Sequence, residues 1–247
     1  MRYLYVANWK MNMSFSKSLS FCTHNSSQLR MLATSADVVI CPSFVALAPI
    51  SELFKNSEIH LGAQSCSEHA AGSYTGEISA QSLAEIGVTH CIVGHSERRI
   101  YYEETTDAIV RKINLLYQNN IQPIICIGEK KEDFLNKATF TVLMEQLRPI
   151  IAAVAQQTHK QIIIAYEPVW SIGAGIIPED AYLQEIFTWL TRLLHQELTG
   201  YTIQLLYGGS VNSKNIHQLK TIEHVDGFLI GGASTDFKEF SEIIETP

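Results

Sequence analysis

Eight short apolar runs recur along the chain, and this recurrence constrains the fold more than any other feature of the sequence. Each run has four or five residues, which is typical of strands buried on both faces of a sheet. The runs are Tyr3–Ala7, Val38–Cys41, Ile59–Ala63, His90–Val93, Pro123–Ile127, Ile162–Tyr166, Ile203–Tyr207 and Gly227–Ile230. We therefore expect eight strands.

The segments between these runs show helical patterns of differing clarity. Pro178–Leu198 has regularly spaced apolar residues, a proline at its first position and acidic residues in its first turn, which together predict a helix. Thr105–Tyr117 and the C-terminal end of the chain show the same spacing. Ser14–Met31 is serine-rich and weakly patterned, and Pro149 interrupts the helix predicted for Phe140–Val154.

The alternation of strands with helices indicates a parallel sheet joined by right-handed crossovers. Eight such units in 247 residues predict a single (β/α)8 barrel, a TIM barrel of typical size. A doubly wound open sheet is the alternative, but it would carry a Gly-x-Gly-x-x-Gly turn after an early strand, and none follows Tyr3–Ala7. Since no linker or low-complexity tract divides the chain, we expect one domain over residues 1–247.

The composition fits a soluble protein with a large core and narrows the range of partners. Apolar residues make up 46% of the chain, and the formal net charge is −7. An acidic chain without a Lys/Arg-rich run is not expected to bind nucleic acid. Five cysteines without a Cys-x-x-Cys pair favour a reducing compartment, and we expect no metal and no organic cofactor. Without a signal-peptide core or a membrane-spanning run, the sequence predicts a cytoplasmic protein that binds no membrane.

Polar and glycine-rich residues follow six of the predicted strands at their C-terminal ends. Barrel enzymes place their active sites at this end. The residues are Asn8 and Lys10 after the first strand, Gln64 after the third, Gly94–Arg98 after the fourth, Glu167 after the sixth, Gly208–Ser210 after the seventh and Gly231–Gly232 after the eighth. We therefore expect these residues to converge at one rim of the barrel.

Glu167 is the first charged residue after the sixth strand, and Pro168 follows it where the chain must leave the sheet. A carboxylate on a rigid strand end, joined to a glycine-containing loop over Pro168–Pro178, is typical of a catalytic base beneath a moving lid. An ordinary connection with a solvated glutamate is the alternative.

Three further features favour the binding of a small anion, and each has a structural alternative. Glycine pairs after the seventh and eighth strands let backbone N–H groups approach a phosphate, although either pair alone is more often a tight turn. Lys10 could stabilise an oxyanion or a phosphate, or could be an ordinary solvated lysine. His95 precedes a short predicted helix, where a neutral imidazole is favoured as a donor, but a structural histidine bonded to a carbonyl explains it equally well.

Eight motifs that include these residues occur in order along essentially the whole chain. They are Asn8–Asn12, Gly62–Gln64, Tyr74–Glu77, Val93–Arg99, Cys126–Glu129, Ala165–Trp170, Tyr207–Val211 and Gly231–Ala233. Together they resemble the triosephosphate isomerase family. The resemblance implies a cofactor-free interconversion of dihydroxyacetone phosphate and D-glyceraldehyde 3-phosphate through an enediolate.

The resemblance also implies a role for each residue at the rim. Glu167 resembles the base that moves the proton, and His95 resembles the neutral electrophile that polarises the carbonyl. Lys10 resembles the cation beside the phosphate and the developing oxyanion, with Asn8 next to it, and Glu97 resembles a carboxylate that supports Lys10. The implied phosphate cradle is formed by the backbone N–H groups of Gly173, Ser210 and Gly232, with Gly231 adjacent.

Members of the family are generally homodimers, in which a loop enters the partner's site near Lys10. This chain keeps that loop around Thr75, and Arg98 resembles the salt-bridge partner of Glu77 across the interface. We therefore expect a homodimer formed through the Thr75 loop.

The sequence departs from the family pattern at a few places, of which the small residues Ser171 and Ala174 inside the lid should be tolerated. Ser65 stands where asparagine is common, which we expect to loosen local hydrogen bonding. The far hinge of the lid, Ile176–Pro178, is more apolar and stiffer than the common lysine-containing version, so we expect closure kinetics rather than chemistry to differ.

Two other functions compete with the isomerase. Another phosphate-binding barrel enzyme, such as a sugar-phosphate epimerase or a synthase, would explain the glycine pairs but not His95 or the Glu167-Pro168 lid. A non-catalytic barrel scaffold would need none of the polar residues at the rim.

Overall fold

Eight parallel strands close into a barrel in chain order, which confirms the predicted (β/α)8 fold. The computed structural model describes residues 2–172 and 177–247. The strands are β1 (Leu4–Asn8), β2 (Asp37–Cys41), β3 (Ile59–Ala63), β4 (His90–Val93), β5 (Gln122–Ile127), β6 (Gln161–Tyr166), β7 (Thr202–Tyr207) and β8 (Gly227–Ile230). β1 pairs with both β2 and β8, so the sheet has no free edge.

Helices follow the strands and surround the barrel. In the described residues they are α1 (Phe15–His24), α2 (Ser26–Ser35), α3 (Phe44–Phe54), α4 (Ala80–Glu85), α5 (Ser96–Tyr101), α6 (Thr106–Gln118), α7 (Lys131–Leu135), α8 (Thr139–Val154), α9 (Asp180–Glu197), α10 (Ile216–Leu219) and α11 (Phe237–Glu245). Two 3₁₀ turns, Val169–Ser171 and Gly232–Thr235, follow β6 and β8. Both turns lie at the rim where the polar residues were expected.

The core has two apolar layers because each strand is buried on both faces. Along β1, Leu4 and Val6 belong to the cluster inside the barrel, whereas Tyr5 and Ala7 belong to the cluster between strands and helices. Side chains with a period of two therefore point alternately to two buried layers. This arrangement explains why the strands appear in the sequence as continuous apolar runs rather than as an apolar–polar alternation.

Two predictions about how prolines affect helices were wrong. α9 begins at Asp180 rather than at Pro178, because Glu179 has an extended backbone and takes the N-cap position. Pro149 does not interrupt its segment, since α8 runs through it from Thr139 to Val154. A proline inside a helix costs about 3 kcal/mol, and the buried apolar face of α8 offsets that cost.

The weakly patterned N-terminal segment contains two helices instead of one. α1 starts after Ser14, whose side chain accepts a hydrogen bond from the backbone N–H of Lys17. Asn25 then leaves helical geometry, and α2 begins at the next residue. The Thr105–Tyr117 prediction also shifts by one residue, because the side chain of Thr105 caps α6 and the helix starts after it.

Candidate active site

A cavity of about 480 Å³ opens at the C-terminal end of the barrel. It brings together every residue to which the sequence gave a catalytic or substrate-binding role except Gly173, which lies outside the described residues. The predicted residues that line it are Asn8, Lys10, His95, Glu97, Glu167, Ser210, Gly231 and Gly232. The ends of β1, β4, β6, β7 and β8 thus contribute to one pocket.

Glu167 follows β6 and is buried, with 1% of its surface exposed. Its Oε2 atom accepts a hydrogen bond from the backbone N–H of Ser96 at 2.8 Å. Its Oε1 atom accepts no hydrogen bond from the described residues. Nε2 of His95 lies 3.1 Å from this oxygen, but the two groups are not aligned for a hydrogen bond. One carboxylate oxygen is therefore held by the protein and the other is open to a proton.

Two glycines allow the backbone and side chain of Glu167 to occupy this position. A Cβ atom on Gly128 would lie 1.8 Å from the carbonyl oxygen of Glu167. A Cβ atom on Gly208 would lie 2.9 Å from its Cγ atom. No side chain fits at Gly128 without moving the backbone of Glu167, so the loops after β5 and β7 position Glu167 by close contact.

His95 is the N-cap residue of α5, and its ring is directed into the cavity. Its Nδ1 atom accepts a hydrogen bond from the backbone N–H of Glu97 at 3.2 Å. An imidazole nitrogen that accepts a hydrogen bond carries no proton, so we assign the neutral tautomer with the proton on Nε2. That nitrogen is the one beside Glu167, and it can donate to a substrate oxygen.

Lys10 has a left-handed backbone with a φ of 51°, which is uncommon for a residue with a side chain. Its backbone N–H donates to Oδ1 of Asn8 at 3.3 Å, and its carbonyl accepts from Nε2 of Gln64 at 3.0 Å. Its Nζ atom donates to Oε1 of Glu97 at 2.5 Å. These contacts hold an ammonium group at the mouth of the cavity in an otherwise unfavourable backbone conformation.

Ser210 follows β7, Gly232 follows β8, and both line the cavity. In the part of the chain that the structure describes, their backbone N–H groups donate no hydrogen bond. The side chain of Ser210 donates to the carbonyl of Ser171 at 3.0 Å, and Asn215 donates to the carbonyl of Ser210 at 2.9 Å. These contacts fix the loop after β7 through groups other than the N–H of Ser210.

Comparison with known proteins identifies the family of this chain. The family model described as "Triosephosphate isomerase" matches residues 3–247. The chain belongs to the triosephosphate isomerase family. It is 38% identical over 244 residues to the triosephosphate isomerase of Colwellia psychrerythraea, covering 96% of this chain and 94% of the relative. The enzyme of Aquifex aeolicus is 38% identical over 256 residues, covering 99% of each chain, and that of Endomicrobium trichonymphae is 35% identical over 244 residues, covering 98% and 97%.

Sequence reasoning gave no role to Glu129, which is part of one of the triosephosphate isomerase motifs. Its carboxylate has no exposed surface and accepts a hydrogen bond from Nε1 of Trp170 at 2.7 Å. Burial raises the pKa of Glu129, and its hydrogen bonds, led by the one from Trp170, oppose that rise. A carboxylate two residues beyond the end of an apolar strand is the signal that could have drawn attention to it.

The Thr75 loop and its neighbours form contacts within the chain. The rings of His69 and Tyr74 stack with centroids 3.7 Å apart. The triosephosphate isomerase family resemblance predicts that Arg98 pairs with Glu77 of a second chain. Within its own chain, Arg98 donates a hydrogen bond to Glu104 at 3.0 Å. The loop and Arg98 are therefore held by contacts within one chain.

The departure at Ser65 does not leave a polar group without a partner. Its hydroxyl accepts a hydrogen bond from the buried ammonium group of Lys112 at 3.2 Å, and Lys112 also pairs with Glu104. Among the other departures, Ala174 and Ile176 lie outside the described residues.

Two further features concern cofactors and membranes. In residues 2–172 and 177–247, no group of three or more His, Cys, Asp or Glu side chains could hold a metal ion. Over the same residues, no helix has the length and apolar character needed to cross a membrane.

Proposed function

We propose that the residues at this rim carry out the reaction of the triosephosphate isomerase family, the interconversion of dihydroxyacetone phosphate and D-glyceraldehyde 3-phosphate. The observation that carries the proposal is the 3.1 Å separation between Nε2 of His95 and Oε1 of Glu167 inside one cavity. A base and a hydrogen-bond donor at this separation can reach a carbon-bound proton and the neighbouring carbonyl oxygen of the same small substrate.

Glu167 acts as the base. Its Oε1 atom removes a proton from the carbon next to the substrate carbonyl and becomes part of a neutral carboxyl group. The electron pair of the broken C–H bond forms the enediolate. Glu167 then returns the proton to the adjacent carbon, and the hydroxyl proton moves from the oxygen of the first carbon to the oxygen of the second by way of Nε2 of His95. Both protons are then in place, and the base is regenerated in each turnover.

His95 acts as a neutral electrophile. Its Nε2–H group donates to the carbonyl oxygen and stabilises the negative charge that grows there. The hydrogen bond from Glu97 N–H to Nδ1 supports this role, because it fixes the tautomer that places the proton on Nε2.

Lys10 supplies positive charge in a chain whose net charge is −7. The ammonium group has three donors, and Glu97 uses one of them. The remaining donors serve the phosphate and the enediolate oxygen, while Asn8 supports the backbone of Lys10. This local cation compensates for an overall field that would repel a phosphate ester.

The phosphate is bound by backbone N–H groups of Ser210 and Gly232, with Gly231 adjacent, and by that of Gly173. Segment 168–178 serves as the lid that covers the site. A cover is chemically useful because an enediolate phosphate in water can eliminate phosphate, and exclusion of water also strengthens the hydrogen bonds from His95.

The active form is a cytoplasmic homodimer in which the Thr75 loop completes the partner's site. Large apolar side chains exposed around the same rim support this assembly, because such surfaces mark protein interfaces. They are Met11, Val45, Tyr74, Tyr101 and Tyr102.

An assay with D-glyceraldehyde 3-phosphate tests the function directly. We expect the purified chain to form dihydroxyacetone phosphate, and in ²H₂O we expect deuterium on the carbon that exchanges its proton through Glu167. Inorganic phosphate should compete with the substrate. No conversion of D-glyceraldehyde 3-phosphate, or conversion only of a larger sugar phosphate, would contradict the proposal and favour the epimerase or synthase alternative.

A further inference from the structure

The hydroxyl of Tyr182, in the first turn of α9, donates to Oε1 of Glu129 at 3.0 Å. The same oxygen accepts from Nε1 of Trp170 at 2.7 Å and from the hydroxyl of Tyr166 at 3.1 Å. One buried carboxylate oxygen thus connects α9 to residues on both sides of Glu167. A buried carboxylate oxygen without a partner is costly, so the Tyr182 hydroxyl is a substantial part of this anchor.

The position of the Tyr182 ring does not depend on its hydroxyl. The ring packs edge-on against Phe134, with centroids 5.2 Å apart, and lies 6.3 Å from the ring of Trp170. Phe134 stacks in turn on Trp170 at 4.3 Å. The rest of α9 is docked by its own buried apolar residues, Leu183, Ile186, Phe187, Leu190 and Leu194. Removal of the hydroxyl alone should therefore leave the helix and the ring in place.

Glu129 is linked to the catalytic carboxylate through the backbone. Its carbonyl accepts a hydrogen bond from the N–H of Val169 at 3.2 Å. The residue before it, Gly128, packs directly against the carbonyl of Glu167. The N–H of Glu167 donates to Ile127 at 2.8 Å. A displacement of Glu129 would therefore move the backbone that carries the base.

We propose that Tyr182 is a positioning residue for the isomerase reaction, holding Glu129 so that Glu129 can fix the backbone between Glu167 and Trp170. The inference rests on the proposed function, because it concerns the efficiency of the same base. Tyr182 contacts neither the cavity nor the reacting atoms, and its effect passes through the shared carboxylate.

Tyr182→Phe tests this role, since it removes the hydroxyl and keeps the ring. Misplacement of a catalytic group by a fraction of an ångström lowers the rate steeply, and we expect kcat to fall about tenfold. KM should stay within about twofold, because the proposed phosphate donors are not touched. The matched control is Tyr117→Phe, which removes a hydroxyl that donates to Gln161 at 2.8 Å, at the opposite end of β6. Its kcat should equal that of the wild type.

A double-mutant cycle with Glu129→Gln separates positioning through Glu129 from a general loss of structure. We expect Tyr182→Phe to lower kcat about tenfold in the wild type and less than about twofold in the Glu129→Gln background, because the shared link is already altered. An equal reduction in both backgrounds, or an unchanged kcat for Tyr182→Phe, would overturn the inference. A Tyr117→Phe variant with the same loss of kcat would also overturn it.

Fluorine NMR of protein containing 5-fluorotryptophan gives a readout that does not depend on turnover. The signal of Trp170, assigned with Trp170→Phe, should shift in Tyr182→Phe and remain in place in Tyr117→Phe. An unmoved Trp170 signal would contradict the proposed anchor. A wild-type chain without isomerase activity would overturn the proposed function, whereas an active wild type with unchanged Tyr182→Phe kinetics would overturn only the role of Tyr182.

Discussion

The backbone N–H of Glu97 donates to Nδ1 of His95 over 3.2 Å, which leaves the proton of the ring on the nitrogen that faces Glu167. In a neutral imidazole, the first turn of α5 therefore fixes the proton on Nε2. An imidazolium would have to donate from both nitrogens, and the N–H of Glu97 occupies the direction of one of them. The tautomer of the neutral ring is thus a consequence of local backbone geometry.

We expect ¹⁵N NMR of the ring to show His95 as neutral at pH 7, with the proton on Nε2. A conservative His95→Gln variant keeps a donor but loses the ring, and its kcat should fall about a hundredfold. The ring of His24, at an exposed position, provides an internal reference in the same spectrum. Two protonated nitrogens on His95 at pH 7 would contradict the neutral-donor mechanism.

The contact between Gly128 and Glu167 leads to a second prediction. Gly128→Ala would place a Cβ atom 1.8 Å from the carbonyl of Glu167, so the strand end must move. Because an ångström of misplacement can cost about a hundredfold in rate, we expect kcat to fall by about that factor. The control is Gly200→Ala, which meets no atom within 4 Å but has a φ of 82°. It should cost about 1 kcal/mol of stability and leave kcat unchanged.

His60 and His90, at the end of the barrel opposite the cavity, make the free energy of unfolding depend on pH. Burial, followed by the neighbouring ring of His60, lowers the pKa of His90 to about 3. An unfolded histidine has a pKa of about 6.5, so below that pH the unfolded chain binds a proton that folded His90 does not. The contribution of neutral His90 is fully present above pH 6.5 and is lost as the pH falls from there toward 3.

Urea unfolding at pH 7 and pH 5 measures this contribution. The wild type should lose unfolding free energy between pH 7 and pH 5, and His90→Gln should lose about 2 kcal/mol less. This value follows from about 1.4 kcal/mol for each pH unit below 6.5. His24→Gln, at an exposed position, should behave like the wild type. An identical pH dependence in His90→Gln and the wild type would show that His90 is not the group responsible.

The sequence predicts the fold of this protein more completely than it predicts the contacts within its site. The eight strands could be predicted because residues such as Val6 and Tyr5 face two different buried layers, which forces a continuous apolar run. Lys10, His95 and Glu167 could be predicted as one group because active sites of barrel enzymes lie at the C-terminal ends of the strands. The assignment of residues 1–247 to one domain stays a prediction.

Other features depend on contacts that no local pattern contains. The tautomer of His95 follows from the direction of one backbone N–H, and the role of Glu129 follows from donors as distant in sequence as Tyr182. The continuation of α8 through Pro149 depends on how tightly its apolar face packs. Tertiary packing decides such cases, and propensity alone does not.

The expected homodimer gives a fourth prediction. Thr75→Arg places a bulky charge on the loop proposed to enter the partner, and we expect the dimer to dissociate at least about tenfold more readily, or about 1.4 kcal/mol, with a lower kcat. Sedimentation equilibrium at assay concentrations measures the change. Thr34→Arg, at an exposed position of α2, is the control and should remain dimeric. A fully active wild-type monomer would contradict the assembly.

The central claim is that Glu167 is the base, and the turnover of Glu167→Gln tests it most directly. The amide has nearly the same shape but cannot accept the proton, so we expect kcat with D-glyceraldehyde 3-phosphate to fall by about a hundredfold or more. Competition by inorganic phosphate should change little, which would show that the site remains formed. A Glu167→Gln variant that turns over at the wild-type rate would contradict the mechanism.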